Sequence, residues 1–410
     1  MTKKILHNKI LIALIITIVI LRSGVALQTI FSSLQYSIIL SAAIFLFPVL
    51  TMFNNPKEWR SGHVVFILIA LMTVLTMLIR SEESTGFYIL FGCTVLSAFG
   101  ISSTYSFKKM VSLFLDIMTG LTIIALIGYI FVNHTTLLSN LKIYTNLNEI
   151  QYAFLGFFNY IPQIPDRNCG IFWEPGIFAT FLVFGIIFEV VFKEGKPNVF
   201  RIILFSVGVF TAHSSAGYII WILSMLLWGM SYIQNKMNEK LAKWVLIGFG
   251  VFAGLLLLCM DFIISHTKLA ENPYFQKLLF ENLFSSLRAK SILHNLKVFM
   301  VSPFFGNGIE TVTERIVYQA DTSTSTYILS VFGVLGIVYT LIWIYGIFKI
   351  KNLNIISRMI LLMIILFIIN KEPHLFNLFS WLFMFYLLKN ADEPNKEKNA
   401  INIPLYSQLN

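Results

Sequence analysis

The chain has 410 residues, of which 57% are hydrophobic and 12% are charged, and it carries a net charge of +10. Soluble proteins carry about 25% charged residues, so this composition excludes a soluble domain, a disordered chain and a small disulfide or zinc scaffold. The basic residues are scattered singly and in pairs, which argues against a nucleic-acid-binding surface. With a mean hydropathy of +0.77, the sequence predicts an all-α polytopic membrane protein.

Twelve apolar runs along the chain are candidates for membrane-spanning helices, which need about 20 apolar residues, or fewer where a span is short. They occupy residues 5–21, 36–53, 63–79, 87–104, 110–132, 171–192, 199–212, 216–232, 244–263, 326–348, 356–369 and 375–388. Lys3 and Lys4 precede the first run, so a cleaved signal peptide is the alternative reading of it. Eleven further runs follow, which favours an uncleaved first helix.

The distribution of lysine and arginine predicts the orientation of these spans. If both termini are cytoplasmic, most of the 30 basic residues fall in segments on the cytoplasmic side, as the positive-inside rule requires. We therefore expect a multi-pass membrane protein with both termini in the cytoplasm.

Two polar interruptions, at residues 211–217 and 370–374, split long apolar stretches into pairs of short crossings. Both stretches have basic flanks, so the chain has to return to the side that it left. Polar backbone at membrane depth survives only where protein or a water-filled cavity covers it. We expect both turns to line a cavity on the outer side.

Two long segments, both expected outside the cytoplasm, interrupt an otherwise compact series of spans. The second begins an amphipathic helix at Asn272-Pro273, with apolar residues at helical spacing that include Ile292, Leu296 and Phe299. We expect this helix, or two in series, to lie at the outer membrane face. The predicted regions are a five-helix region (1–132), a first large loop (133–170), a central membrane region with a short-helix hairpin (171–263), a second large loop (264–325), a C-terminal membrane region (326–388) and a cytoplasmic tail (389–410).

The first group of candidate site residues lies where the first long segment re-enters the membrane. Arg167 and Glu174 flank a turn, and Pro175 is placed to begin a helix. A structural interpretation is an interfacial salt bridge with Trp173 anchored at the membrane surface. The functional interpretation is that Arg167 binds a phosphate or sugar acid, because its planar fork suits a diphosphate, while Glu174 orients the ligand or a hydroxyl.

The second group is the polar turn that contains His213 and Ser214. One interpretation is that both side chains form hydrogen bonds that complete a broken helix, and the other is that they contact substrate. A Ser/His nucleophile pair is a further reading, but adjacency in sequence is poor support for catalytic geometry.

The third group lies in the second long segment. It comprises Arg288, with Lys290, His294 and Lys297 nearby, followed by the turn 302–310, with Gly306, Gly308 and Glu310, and then by Arg315 and Asp321. Glycine and proline in such a turn allow close approach to a ligand. The alternative role for the basic residues is attraction to anionic lipid headgroups.

Ligand sets for metals and nucleotide-binding motifs are not apparent in the sequence, so we expect neither a cofactor nor a metal. Asp116 is the ionisable residue that lies clearly within a predicted span. A proton-driven pump normally has a chain of such groups.

Taken together, these features resemble the superfamily of O-antigen and capsular polysaccharide polymerases and O-antigen ligases. Arg167…Gly170-Ile171-Phe172…Glu174-Pro175 is similar to the family's Arg–x–x–Gly–aromatic–Glu–Pro entry into a span. Thr211-x-x-Ser214-Ser215-Ala216-Gly217-Tyr218 resembles its Thr–x–Ser–Arg/Thr–x–Gly–Tyr turn. Arg288, the segment 302–308 and the span with Tyr327, Gly333 and Gly336 look like its late loop and exit helix.

The resemblance implies an all-helical, multispanning fold and glycosyl transfer at the outer face of the cytoplasmic membrane. The implied donor and acceptor are undecaprenyl-diphosphate-linked glycans, and Arg167 and Arg288 are the implied diphosphate and glycan contacts. Membrane lipid, a chain-length regulator and a flippase of the same pathway are the implied partners, and nucleic acid is not among them.

Two departures from the family favour a polymerase over a ligase. The stretch 321–327 lacks the histidine that the ligase branch has before its exit span, and Ser215 stands where a ligase-like turn has arginine. The general base is left open among Glu174, His294, Glu310 and Asp321. A lipid-linked oligosaccharide flippase is the alternative outside enzymes, but it needs a charged intramembrane path and has little use for two long outer loops.

Overall fold

The computed structural model describes residues 2–27, 60–80, 85–134, 143–145, 150–154, 157–236, 248, 287–314 and 323–392, which are predominantly helical. The helices are α1 (Thr2–Leu21), α2 (Arg60–Ile79), α3 (Thr85–Thr104), α4 (Phe107–His134), α5 (Pro175–Ile187), α6 (Val199–Thr211), α7 (Ser215–Lys236), α8 (Leu287–Val301), α9 (Ile309–Glu314), α10 (Thr324–Phe332), α11 (Ile337–Phe348), α12 (Ile355–Ile369) and α13 (Leu378–Asp392). A π-helical turn, Phe188–Phe192, extends α5, and a 3₁₀ turn, Gly333–Gly336, joins α10 to α11.

The chain is a helical membrane protein. Within the described residues, five helical segments are long and apolar enough to cross a membrane: Gly62–Ile79, Thr85–Thr104, Phe107–His134, Pro175–Phe192 and Thr324–Phe348. Shorter apolar helices are Ile10–Leu21, Val199–Thr211, Ser215–Ser231, Ile355–Ile369 and Leu378–Lys389. The predicted span 36–53, and all of 244–263 except residue 248, lie outside the described residues, so the number twelve stays a prediction.

The helix boundaries follow from local sequence signals. Pro175 begins α5, where its missing N–H group costs nothing, and Glu174 before it is extended. The side chains of Asn198 and Asn354 cap α6 and α12, because each accepts a hydrogen bond from a backbone N–H group two or three residues further on. The polar interruption after Thr211 ends α6, and the one after Ile369 ends α12.

The core is packed with phenylalanine, and α5 and α13 lie at its centre. Every residue of α5 is buried. The ring of Phe379 on α13 lies 5.0 Å, centroid to centroid, from both Phe114 on α4 and Phe181 on α5. It also lies 4.9 Å from Phe184. Interlocked aromatic rings of this kind fix the positions of α4, α5 and α13 relative to one another.

Charged contacts join helix ends at one end of the bundle. Lys108 of α4 forms an ion pair with Glu194, which precedes α6, and Asp116 of α4 forms one with Arg201 in the first turn of α6. Lys389 of α13 donates to the carbonyl oxygen of Ser102 at 2.8 Å. We call this the basic end (residues 105–109, 193–201, 349–358 and 389). The opposite helix ends meet at what we call the site end (residues 22–26, 166–176, 211–215, 302–308, 323–326 and 370–377).

A small three-stranded antiparallel sheet, absent from the all-α expectation, lies in the first long segment. Its strands are β1 (Ile143–Thr145), β2 (Gln151–Phe154) and β3 (Asn159–Tyr160), in the order β1-β2-β3. Tyr144 pairs with Tyr152, and Ala153 pairs with Tyr160. The strands are rich in β-branched and aromatic residues, which favour extended backbone.

The described part of the second long segment contains helix α8, which was expected to lie at the outer membrane face. Helix α8 is amphipathic, but Ser291, Asn295 and Val298 form its buried face. Leu296 is 39% exposed and Met300 is 72% exposed, and Lys290 and Lys297 are exposed on the same helix. An outward side that carries both apolar and basic side chains suits a helix at the membrane surface.

Candidate functional site

The first two groups of predicted site residues meet at the site end. The backbone N–H of Asn168 donates to the carbonyl oxygen of Thr211 at 2.9 Å, and its side-chain amide donates to the Thr211 hydroxyl at 3.1 Å. Nε of Arg167 donates to the carbonyl oxygen of Ala212 at 3.3 Å. These bonds hold the segment before α5 against the turn between α6 and α7.

His213 occupies the sharpest point of that turn. Its φ of +45° is the only left-handed backbone angle among the described residues other than glycine, a conformation that histidine adopts more readily than most residues. Ring atom Nδ1 lies 3.2 Å from the hydroxyl oxygen of Tyr218, and that hydroxyl donates to the carbonyl oxygen of Phe210 at 3.2 Å. Burial lowers the pKa of His213, while the charge of Asp166 raises it and that of Arg167 lowers it further.

Ser214 has a structural role in this geometry. Its hydroxyl oxygen accepts a hydrogen bond from the backbone N–H of Gly217 at 3.2 Å, which caps the start of α7. A Cβ at Gly217 would lie 2.8 Å from that of Ala179 on α5, so the glycine allows α5 and α7 to pack closely. Ser214 thus forms the kind of hydrogen bond that the structural interpretation expected. Its contact with substrate stays a prediction.

Glu174 is exposed at the start of α5, and its side chain does not cap the helix. The charged side chains beside the first turn of α5 are instead Lys371 and Glu372, from the turn between α12 and α13. Nζ of Lys371 donates to the carbonyl oxygen of Gly176 at 2.7 Å and lies 3.3 Å from the Thr180 hydroxyl. Lys371 and Glu372 are 2% and 5% exposed, and Nζ of Lys371 lies 3.7 Å from Oε1 of Glu372. Buried charges of this kind need a partner close by.

The serine and threonine run at the start of α10 binds this turn to the rest of the site end. The Ser323 hydroxyl donates to the side-chain oxygen of Asn370 at 3.1 Å. The Thr324 hydroxyl donates to the carbonyl oxygen of Glu372 at 3.0 Å, and it accepts from the backbone N–H of His374 at 2.8 Å. On the other side of α10, the amide of Asn295 on α8 donates to the Thr326 hydroxyl at 3.1 Å. The run therefore joins α8, α10 and the α12–α13 turn.

His374 is buried in this turn with both ring nitrogens engaged. Nε2 lies 3.1 Å from the carbonyl oxygen of Ile368, and Nδ1 lies 2.6 Å from the Ser380 hydroxyl. A carbonyl oxygen can only accept, so Nε2 carries the proton and Nδ1 accepts from Ser380. Burial lowers the pKa of His374 to about 4, with Lys371 also lowering it and the bond to Ile368 opposing the shift. His374 is therefore neutral at physiological pH.

Gly306 and Gly308 allow close backbone packing, and their contact with substrate stays a prediction. Both have left-handed φ angles, of +75° and +84°. A Cβ on Gly306 would lie 2.0 Å from the carbonyl oxygen of Val331, so any side chain there would push the loop off α10. The backbone N–H of Gly308 donates to the same carbonyl oxygen at 3.1 Å. Arg80, at the end of α2, donates to the carbonyl oxygen of Gly306 at 2.7 Å.

The remaining predicted site residues of the second long segment differ in position and burial, and two of them lie outside the described residues. Arg288 is the second residue of α8. His294 is half-buried on the same helix, and its Nε2 atom is fully enclosed. Glu310 is half-buried in the first turn of α9. Arg315 and Asp321 lie outside the described residues.

The sequence analysis assigned no individual role to several ionisable residues at the site end: Arg22, Lys371, Glu372 and His374 are buried, and Arg80 is half-buried. Arg22 follows the last residue of α1 and is 2% exposed. Each arginine is the first polar residue after an apolar run, which is a usable signal for a charge held at a membrane boundary.

The described part of the chain contains no group of three or more His, Cys, Asp or Glu side chains that could hold a metal ion. No known family model matches the sequence, and no curated protein matches it.

Proposed function

We propose that this chain is a glycosyltransferase that joins lipid-diphosphate-linked oligosaccharide repeat units into an O-antigen or capsular polysaccharide. The observation that carries the proposal is the contact between Arg167 and the 211–215 turn, at 3.3 Å from Nε to the carbonyl oxygen of Ala212. Two motifs of the family resemblance, far apart in the sequence, are in contact. They lie at the bundle end from which the first long segment leaves α4 and enters α5.

The chemistry of the transfer explains why guanidinium groups are suited to this end. When the bond between the anomeric carbon and the lipid diphosphate breaks, negative charge grows on the departing diphosphate. Fixed cationic donors stabilise that charge more in the transition state than in the bound substrate, which raises the rate. We assign this role to Arg167 and Arg288, and we place the reaction on the outer face of the cytoplasmic membrane. No metal takes part in this proposal.

A flippase for lipid-linked oligosaccharides is the second candidate, and the buried charges of Lys371 and Glu372 favour it. A flippase moves its polar cargo along a hydrophilic path through the membrane. Lys371 instead bonds to the first turn of α5, through Gly176 and Thr180. This pair therefore supports a fixed helix arrangement better than it supports a path for cargo.

Lipid-linked glycans from cells that lack the gene separate these functions. A polymerase defect leaves single repeat units, on the outer side of the membrane or capped on the cell surface. A flippase defect traps single units inside, and a ligase defect accumulates long lipid-linked chains. We expect outer single units, and re-introducing the intact gene should restore long chains. An unchanged distribution of lengths after gene loss would contradict the proposed function.

A further inference from the structure

The hydrogen bonds around Tyr218 determine which nitrogen of His213 carries a proton. The phenol has one hydrogen, which it donates to the carbonyl oxygen of Phe210 at 3.2 Å, because a carbonyl cannot donate. The contact of 3.2 Å between the same phenol oxygen and Nδ1 of His213 therefore needs Nδ1–H as the donor. In the neutral ring the basic lone pair is then on Nε2.

The backbone around the ring is held from three directions. The N–H of His213 donates to the carbonyl oxygen of Phe210 at 3.2 Å, and Ala212 before it donates to Gly208 at 3.1 Å. From the segment before α5, Arg167 bonds to the carbonyl oxygen of Ala212. A ring that is fixed in tautomer and position is the arrangement that a general base requires.

The surroundings of the ring also keep it neutral. His213 is half-buried, and burial is the main cause that lowers its pKa. The charged groups that shift its pKa are Asp166 and Arg167, from the segment before α5. The hydroxyl of Tyr218 on α7 contacts the ring directly. Tyr129 of α4 donates to the carbonyl oxygen of Asp166 at 3.0 Å. A neutral imidazole at physiological pH is able to accept a proton.

We propose that His213 is the general base of the glycosyl transfer and that Tyr218 is its positioning residue. This inference rests on the proposed glycosyltransferase function. Nε2 takes the proton of the acceptor hydroxyl while the acceptor oxygen bonds to the anomeric carbon of the donor. The bond between that carbon and the diphosphate oxygen breaks, and its electron pair leaves with the lipid diphosphate. The imidazolium then returns its proton to water or to the released diphosphate.

The position of Arg167 distinguishes His213 from the other candidate bases. Nε of Arg167 donates to the carbonyl oxygen of Ala212, the residue next to His213, so Arg167 is in contact with the turn that carries the ring. Nε2 of His294 is enclosed by protein and out of reach of an acceptor. Glu174 is exposed at the start of α5, whereas His213 is half-buried in the turn that Arg167 contacts.

The test compares variants of the full-length protein in native membranes, with lipid-linked glycan extracted from cells that lack the gene as the substrate. His213→Asn retains an N–H donor for Tyr218 and tolerates the left-handed backbone, but it has no basic nitrogen. We expect it to extend chains at least 100-fold more slowly than the native protein, because general bases contribute about 10²–10⁴ in rate. His134→Asn, an exposed histidine at the end of α4, is the matched control and should retain the native rate.

His213→Gly allows a second measurement, which is rescue of the rate by added imidazole. Rescue is expected if the imidazole ring acts as a base, and not if His213 only holds the turn in place. Glycine suits the positive φ and leaves space where the ring stood, so added imidazole should restore at least a tenth of the native rate. Tyr218→Phe should lower kcat about tenfold with little change in KM, because the substrate still binds while the ring loses its fixed tautomer. In the double variant with His213→Asn, Tyr218→Phe should add no further loss.

The outcomes separate the inference from the function on which it rests. If the native protein fails to lengthen the extracted glycan, the proposed function is wrong and the inference falls with it. If the native protein is active and His213→Asn is too, the function stands and the assignment of the base is overturned. The assignment is also overturned if imidazole does not restore activity to His213→Gly that is present in the membrane at native abundance.

Discussion

Lys371 donates a hydrogen bond to the carbonyl oxygen of Gly176 across 195 positions of sequence, at 2.7 Å. The bond joins the turn between α12 and α13 to the first turn of α5, which is the central buried helix. Glu372 lies beside the same glycine, since a Cβ added there would approach its Oε1 to 2.8 Å. This buried contact fixes the start of α5, from which Arg167 and Glu174 are positioned.

Replacing Lys371 with Met should strongly destabilise the protein. The change leaves the buried carboxylate of Glu372 without the cation beside it, and breaking such a pair costs about 3 kcal/mol or more. We expect a clearly lower thermal unfolding midpoint for the purified protein in detergent. Lys351→Met, at an exposed position between α11 and α12, is the control and should change the midpoint little. Equal midpoints for the two variants would show that the buried contact contributes no stability.

Replacing Gly176 with Ala should also destabilise the protein, although alanine usually favours helices. The new methyl group would lie 2.8 Å from Oε1 of Glu372 and 3.3 Å from Nζ of Lys371, so the buried pair has to move. Gly120→Ala in α4 is the matched control, because nothing lies within 4 Å of its added Cβ. That substitution should stabilise the helix by about 0.5–1 kcal/mol. Both free energies are measurable by chemical unfolding in mixed micelles, and opposite signs are expected.

The buried neutral state of His374 should make stability depend on pH. Its pKa is about 4 in the folded protein and about 6.5 in an unfolded chain. Between these values the unfolded chain binds more protons, so this contribution is fully present above pH 6.5 and is lost as the pH falls toward 4. The total loss is roughly 3 kcal/mol. Unfolding midpoints between pH 7.5 and 4.5 should fall less steeply for His374→Gln than for the native protein, and parallel curves would contradict the assignment.

The helices and their breaks were predictable because each depends on local sequence. A long apolar run by itself predicts a helix in the membrane. The polar residues that follow Thr211 and Ile369 mark the ends of α6 and α12. Pro175 likewise predicted the first residue of α5. Such signals need no knowledge of what the helix packs against.

The contacts of the site end depend on the fold and were less predictable. The bond from Lys371 to Gly176 joins residues that no local pattern connects. Gly306 packs closely against the backbone of Val331, a contact that the sequence did not reveal, and its contact with substrate stays a prediction. On α8, the sequence predicted an amphipathic helix but not its contacts with the bundle, because the bond from Asn295 to Thr326 depends on where α10 lies. The meeting of Arg167 with the 211–215 turn was implied by neither motif alone.

Labelling with a membrane-impermeant maleimide should separate the two ends of the bundle. Lys196→Cys and Asn352→Cys place an exposed thiol at the basic end, and Thr145→Cys places one in β1 of the first long segment. In intact cells we expect only Thr145→Cys to react, because basic segments stay in the cytoplasm. Opened membranes should allow all three variants to react, and the unsubstituted chain reports the background. Labelling of Lys196→Cys in intact cells would reverse the predicted orientation.

The role of Arg288 depends on whether its charge or its shape matters. Arg288 is the second residue of α8, a helix whose polar face packs against α10 through the bond from Asn295 to Thr326. Attraction to anionic lipid needs only positive charge, is worth about 1 kcal/mol, and would be met by lysine. Binding a diphosphate uses two parallel N–H donors, which lysine does not supply. Losing such a contact in the transition state costs about 3–4 kcal/mol, or roughly 10²–10³ in rate.

We therefore expect Arg288→Lys and Arg288→Ala to lower chain extension by at least 100-fold, at native abundance in the membrane. Lys290→Ala is the matched control on the same helix, since Lys290 is exposed and replacing it tests loss of charge alone. It should have only a mild effect. The measurement is the length distribution of lipid-linked glycan after incubation with extracted repeat units. If Arg288→Lys extends chains at close to the native rate, positive charge is sufficient, and Arg288 anchors α8 at the membrane surface instead of binding the diphosphate.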